Sequence, residues 1–429
     1  MTSQVTLALF EDTHTSRFLP LVWTRPVYDL RCGISTLREK IEAAYRRRAD
    51  LLYTRPHLTA VTAQRTGLPV NRRPAADEEG TVLLLSGRVV ADRELASRVP
   101  PEGPEALYLD DEGLVVAARL AAWRLRALPP ASLGEALHAD AAELHGLPHH
   151  RFVGQVVRWP WELVHLNATQ IVADAASFPL GRSEGDVHPG AHLIGAEHIY
   201  IAPEASVAPG AVLDASEGPI VVMDGARIMA GSVIIGPVAV GPNSLVKAGA
   251  CIYEGTSIGP VCKVGGEVEE SIFQAYSNKQ HDGFLGHAVV GEWCNLGAGT
   301  TNSDLKNNYS TVRVWVDGEL RQTGEQFVGC FIGDHTKTGI GTLLNTGTVI
   351  GVACNLYGTS MPPKFVPSFS WGEGKKLVEY RLDQAIQTAR RMMARRHVEL
   401  TPAEADLLTY IFAVTARERQ SHGVVELEV

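Results

Sequence analysis

Residues 226–264 read ARIMAGSVIIGPVAVGPNSLVKAGACIYEGTSIGPVCKV, and within them Ile228, Ile234, Val240, Val246, Ile252, Ile258 and Val264 recur every six residues without a miss. A step of six fits neither a 3.6-residue helix nor a simple strand alternation. Two residues before each aliphatic stands a small or compact side chain: Ala226, Ser232, Val238, Ser244, Ala250, Thr256 and Cys262. A coil needs such a residue where it turns a tight corner beside an inward-facing one. The spacing predicts a parallel β-helix, a solenoid of stacked short strands. An ordinary β-rich domain would space its strands irregularly and alternate with period two, which seven unbroken hits disfavour.

The register extends outward. Ile201, Val207 and Leu213 keep the step before a loop at ASEGP; Ile272, Asn278, Phe284, Val290, Leu296 and Asn302 are expected to keep it afterwards, and Ile332, Leu344, Ile350 and Leu356 to resume it. Between them NNYSTVRVWVDGELRQTGEQ alternates at Val312, Val314 and Val316 and carries a DG turn, which predicts a hairpin-like excursion. Upstream, Val5–Phe10 and TVLLLSGRVV read as buried strands and STLREKIEAAYRRR as an amphipathic helix, so the first part is α/β. Short helices are expected over 128–150. Boundaries fall at loop-rich PLGRSEGDVHPG and after PSFSWGEG, giving segments 1–183, 184–367 and a helical C-terminal tail, 368–429, with a capped helix start at Thr401. The basic residues of that tail, Lys375, Lys376, Arg381, Arg390, Arg391, Arg395 and Arg396, read first as a solvated helix face.

With 429 residues, 45% hydrophobic and 20% charged, the chain can build two or three cored domains. No run has the apolar length of a membrane span, and the N-terminal stretch lacks the pattern of a signal peptide, so the expectation is a cytoplasmic protein with no membrane partner. A net charge of −9 disfavours nucleic acid as a partner while leaving small anionic ligands open. The six cysteines form no C-x-x-C pair, and reduced core thiols are expected. No histidine spacing suggests a metal.

The stretch HDGFLGHAVVGEWCNLGAGT, residues 281–300, resembles H-L-T-Y-L-G-D-A-x-I-G-x-x-x-N-I-G-A-G-T of the bifunctional N-acetylglucosamine-1-phosphate uridyltransferase/glucosamine-1-phosphate acetyltransferase family. With KVGGEVEESIFQAYSNKQ, NTGTVIGV, PSFSWG and TRPVYDLRCGISTLREK, the chain looks most like the alternative sugar nucleotidyltransferase variant of that family. The resemblance implies a nucleotidyltransferase-like (Rossmann-like) domain over 1–183, a left-handed β-helix acyltransferase-like domain over 184–367, and a homotrimer. It implies His281 as the catalytic base that removes a proton from an amino sugar attacking a thioester, a step suited to an imidazole. Lys279, Phe284, Asn295 and Asp304 would contact the acceptor, Phe284 standing for a tyrosine and Asp304 for an asparagine. Ala298, Thr300 and Lys337 would meet acetyl-CoA, the donor.

The first domain departs from the family. A glycine-rich loop after the first strand lets backbone N–H groups approach a triphosphate, but here the run is LALFEDTHTSRFLPLVWTRPV, without glycine. Arg17 and Arg25 are spaced like the family's two cations, Gly33 matches a later turn glycine, and Asn167 resembles a domain-closing asparagine at the nucleotide. Ser86, Gly87 and Arg88 stand where a magnesium-holding aspartate is expected, so magnesium enters only with active nucleotidyl transfer. The expected function is acyl transfer from coenzyme A to an amino-sugar phosphate, with nucleotidyl transfer from UTP or another NTP to a sugar 1-phosphate attached to it. The alternatives are a nucleotidyltransferase with a purely structural β-helix, and a non-enzymatic sugar-nucleotide sensor or scaffold.

Overall fold

A computed structural model of the chain describes residues 5–75, 79–129, 133 and 137–426. Of the stretch 128–150, residues 130–132 and 134–136 lie outside the described residues, as do 427–429 of the tail. By internal packing the chain forms two units. One comprises Met1–Phe18, Thr24–Leu30 and Ser35–Arg158; the other comprises Leu19–Trp23, Arg31–Ile34 and Trp159–Val429.

The first unit is built on a six-stranded sheet in the order Leu51–Leu52, Val5–Phe10, Thr81–Ser86, Val115–Ala121, Ala106–Leu109 and His149–Arg151. Val5–Phe10 pairs in parallel with both of its neighbours, and Val115–Ala121 runs antiparallel to Thr81–Ser86. Val82, Leu83, Leu84 and Leu85 are all buried, their alternate side chains serving two separate cores, as a sheet covered on both faces requires. Helix Leu37–Ala44 starts from a capping box in which Thr36 and Glu39 satisfy each other's backbone N–H.

The second unit is the expected parallel β-helix. Three sheets of six, nine and eleven strands, parallel except for the edge strand Lys376–Glu379, take successive short strands in turn. Val233 pairs with Cys251, Val238 with Thr256 and Leu245 with Lys263, each eighteen residues on, so one coil is three hexads. All seven aliphatics from Ile228 to Val264 lie in one continuous core. Each contributes about 1.5–3 kcal/mol by burial. The compact residues fill the corners. Ser244 Oγ donates to Gly259 O at 2.7 Å while accepting from Cys262 N, and Ser277 and Thr336 repeat this with Cys294 and Cys354. The corner column thus alternates hydroxyl and thiol. Burial pushes Cys262, Cys294 and Cys354 up to about 12, as inert structural thiols require.

The register departs from the sequence expectation in one place. Ile258 pairs with Phe273 and Val264 with Lys279, fifteen residues on rather than eighteen. With the coil shortened by three residues the inward line runs through Phe273, Lys279 and Leu285, one position after the expected Ile272, Asn278 and Phe284. The expected line returns at Val290 and Leu296. The excursion is a two-residue hairpin, Arg313–Val316 against Glu319–Gln322, with Asp317 and Gly318 both at positive φ, the conformation a DG turn favours.

The tail is not helical from its start. Ser370–Glu373 and Lys376–Glu379 form an antiparallel pair that extends the eleven-stranded sheet, because Trp371 continues the ladder after Asn355; helices follow at Leu382–Ala394, Pro402–Val414 and Ala416–Ser421. No described helix is long and apolar enough to cross a membrane.

Helix Pro160–Ala175 belongs to the second unit, upstream of the boundary expected at 183. Asn167, fully buried, accepts from Gly33 N at 2.6 Å and donates to Gly255 O at 2.7 Å and Ser257 Oγ at 3.0 Å. Gly33, at φ +81°, is required there because a Cβ would stand 2.8 Å from the Gln170 carbonyl carbon. Asn167→Ala leaves buried partners unsatisfied and should lower stability by about 2–4 kcal/mol, read as a lower urea midpoint at unchanged m value.

Candidate functional site

The solenoid edge between the eleven- and six-stranded faces gathers part of the expected acyl-transfer set. Its corners stack directly: Gly299 N donates to Asp282 O at 2.9 Å, and Gly341 N to Ala298 O at 2.7 Å. His281 is exposed on the first of these corners. Among the described residues its imidazole has no hydrogen-bond or ion-pair partner. Ala298 is half-buried one coil on. Thr300 is buried instead, its hydroxyl 2.7 Å from that of Thr338, so it holds the corner and is not presented to a ligand. Phe284 is half-buried on the six-stranded face. Asn295 lies round the edge on the eleven-stranded face, accepting from Asn278 Nδ2 at 3.2 Å.

Two expected cations are not available as drawn from the sequence. Lys279 is 2% exposed, and its ammonium donates to Gly265 O and His281 O, each at 2.9 Å. It replaces an aliphatic of the core line and ties the His281 corner down from inside. Lys337 sits beside Asn295 in the ladder, but its ammonium folds back onto His335 O at 2.5 Å, and burial lowers its pKa to about 8.

Asp304 makes a pairing not foreseen. Its Oδ2 lies 2.9 Å from Nδ1 of His287, and both side chains are largely buried. The His287 ring stacks on Phe327 at 5.3 Å and meets His165 edge-on at 6.4 Å. This carboxylate–imidazole pair stands at the corner between the six- and nine-stranded faces. Glu270 is held there up to about 7 by burial, with His287 opposing the shift. The signal was available: His287 and Asp304 are seventeen residues apart, one coil at this point of the solenoid.

In the first unit the strand Val5–Phe10 ends on two buried carboxylates. Glu11 accepts from Val27 N at 2.9 Å, Thr54 Oγ1 at 2.6 Å and Arg55 N at 3.0 Å, and from the Arg55 guanidinium at 3.1 Å. Asp12 accepts from Arg88 Nε at 2.8 Å, Ser86 Oγ at 2.8 Å and His14 N at 3.0 Å. The start of the loop is therefore held by its own two carboxylates, which draw in Val27, Thr54, Arg55, Ser86 and Arg88 from further along the chain and only one N–H, that of His14, from beside them. Arg88, fully buried, occupies the position of the expected metal aspartate and is neutralised by Asp12. Both carboxylates are engaged by arginines, which does not fit a magnesium ion. Arg25 is 2% exposed, too deep to meet a phosphate in solvent, and Arg17 is half-buried. Asn167 is the solenoid clamp described above, not a nucleotide contact. Among the described residues no group of three or more His, Cys, Asp or Glu is arranged to hold a metal. A cleft of about 380 Å³ in the tail, lined by Arg390, Ala394, His397, Val398, Glu399 and Leu400, contains none of the expected site residues.

Strand order, loop and carboxylate anchors lie within a segment with known relatives. Residues 7–183 match the sugar nucleotidyl transferase family. The chain is also similar to a bifunctional sugar-1-phosphate nucleotidylyltransferase/acetyltransferase of Sulfurisphaera tokodaii, 33% identical over 117 residues, covering 27% of this chain and 28% of the relative. It is also similar to the bifunctional protein GlmU of a Synechococcus species, 28% identical over 209 residues, covering 47% of this chain and 40% of the relative. The chain thus spans well under half the length of these relatives. A solved UDP-N-acetylglucosamine acyltransferase of Francisella novicida aligns with 57% of this chain and 94% of its own, at 12% identity and a TM-score of 0.27. The β-helix rests on the strand pairing itself.

Burial lowers the Lys279 pKa to about 8, below its unfolded value near 10.4. Between these values the unfolded chain binds more protons, so the lysine's unfavourable contribution is full below about pH 8 and is relieved as pH rises to about 10.4. The stability of wild type relative to Lys279→Met should therefore rise by roughly 3 kcal/mol between pH 7.5 and 10.5 in urea titrations; a flat or falling difference would contradict the burial.

Proposed function

We propose that this protein transfers an acyl group from coenzyme A to the amine of an amino-sugar phosphate, in the service of sugar-nucleotide synthesis. The amine nitrogen attacks the thioester carbonyl carbon, the C–S bond breaks, the thiolate leaves and takes up a proton, and His281 removes the proton from the acylated nitrogen. The observation that carries this reading is the exposed imidazole of His281, without a partner among the described residues, on a corner stacked directly beneath Ala298 and Gly299. A slender donor arm can run along successive glycine-bearing corners there, with its thioester beside the base. Phe284 and Asn295 would contact the acceptor. The left-handed sense of the coil, a homotrimer and a cytoplasmic setting accompany this reading.

A second base is favoured by a specific observation. His287 already has the carboxylate-oriented imidazole typical of a general base, through Asp304. For the first unit, the match over residues 7–183 supports recognition of a sugar nucleotide, and nucleotidyl transfer is the corresponding activity. The internal pairing of Glu11 and Asp12 instead favours binding without turnover.

The test is acylation of glucosamine 1-phosphate by acetyl-CoA, followed by mass spectrometry. If His281 is the base, His281→Ala lowers kcat about 10²–10⁴-fold while His287→Ala changes it less than tenfold. The reverse pattern assigns the base to His287, with Asp304→Asn following it. No product from wild type across a panel of amino-sugar phosphates would overturn the acyl-transfer reading.

A further inference from the structure

The outward row of the eleven-stranded face runs Arg227, Leu245, Lys263, Asn278, Asn295 in paired register. Lys247 follows Leu245 by two residues on the same coil. Onto this row comes the C-terminal end of helix Leu382–Ala394. Arg396, just past the helix end, donates through Nη1 to Val261 O at 3.2 Å and through Nη2 to Asn278 Oδ1 at 2.6 Å, and Asn278 in turn donates to Asn295. The guanidinium is fixed by two of its five N–H groups, and the rest remain to be used.

Arg395 stands next to it, exposed. Lys247, Lys263, Arg395 and Arg396 make no ion pair among the described residues, in a chain whose net charge is −9. Burial lowers the Lys263 pKa, and Arg396, Arg395 and Lys247 lower it further. Burial likewise lowers that of Arg396, with Arg395 adding to it. Cations collected on one face without a counter-charge repel one another and destabilise the fold unless an anion joins them. Arg396 is held in place by Asn278 and Val261, so the cluster is built into the solenoid and is not a chance meeting of mobile side chains.

We propose that Lys247, Lys263, Arg395 and Arg396 form a binding site for the diphosphate group of a small molecule on the eleven-stranded face. A guanidinium with free N–H groups and two ammonium groups suit phosphate oxygens, which accept several charge-assisted hydrogen bonds at once. Tyr276 stands close enough to influence Arg396, and it stacks on Trp293 with ring centroids 4.2 Å apart, giving the edge of the site an aromatic border. The site is independent of the acyl-transfer reading, since none of its four cations belongs to that machinery.

The test is calorimetric titration of the full chain with inorganic pyrophosphate. Wild type should bind it with an affinity that falls as salt rises. In Lys263→Gln/Arg395→Gln, two replacements at partly exposed and exposed positions, affinity at this site should fall at least tenfold, and if another pyrophosphate site exists the stoichiometry should drop by one. In thermal melts without ligand the same variant should match or exceed wild type, because repulsion is relieved, and pyrophosphate should raise the Tm of wild type more than that of the variant. Uridine diphosphate binding more tightly than pyrophosphate would assign the group to a nucleotide, and pyrophosphate binding as tightly or more so would assign it to the free anion; both support the site. No binding by wild type, or unchanged affinity and stoichiometry in the variant, would overturn it.

Discussion

The second unit depends on one constraint: each coil must return to the position above the one before it, so that its inward side chains fall on those of the previous coil. Burial of the Ile228–Val264 line fixes that return, and the hydroxyl–thiol column at one corner satisfies the backbone where the chain bends. Everything placed on the outside follows from it. A residue one coil length from another is its neighbour, whatever the chemistry of either. The stacked corners of His281, Ala298 and Gly341, the Asn278–Asn295 pair and the His287–Asp304 pair all arise in this way.

The same constraint explains how an ionic group comes to lie inside. With one coil shortened by three residues, between Ile258 and Phe273, the strands stay paired and the inward line runs through Phe273 and Lys279. A lysine then occupies a core position, tolerable because two carbonyls lie within reach of its ammonium. The outcome ties the backbone of the His281 corner to the interior, leaving the imidazole exposed. Rigidity beneath the site and freedom at its surface have one cause.

Much of the solenoid was legible in the sequence because its core is written in a strict period, and the DG hairpin because its turn demands positive φ at both central residues. Lys279 was misread because apolar residues stand at both Ile272 and Phe273, so the sequence alone does not choose between a line through Asn278 and one through Lys279. Asn167 was misread because its role depends on Gly33 and Ser257, distant in the chain, and a polar residue in a helix does not reveal its partners. In the first unit the missing glycines and the missing aspartate could be read directly, but not that Glu11 and Asp12 would be bound by Arg55 and Arg88. That arrangement needs Arg55 and Arg88 brought together with the end of the first strand, which only the sheet order supplies.

The central claim is that the edge bearing His281 receives the thioester donor. Hydrogen exchange with and without saturating coenzyme A tests it most directly, because the corners concerned are short and backbone-rich. The account predicts slower exchange confined chiefly to the corners at residues 280–283, 297–300 and 339–341. Protection elsewhere with these corners unchanged, or no protection at all, would contradict it.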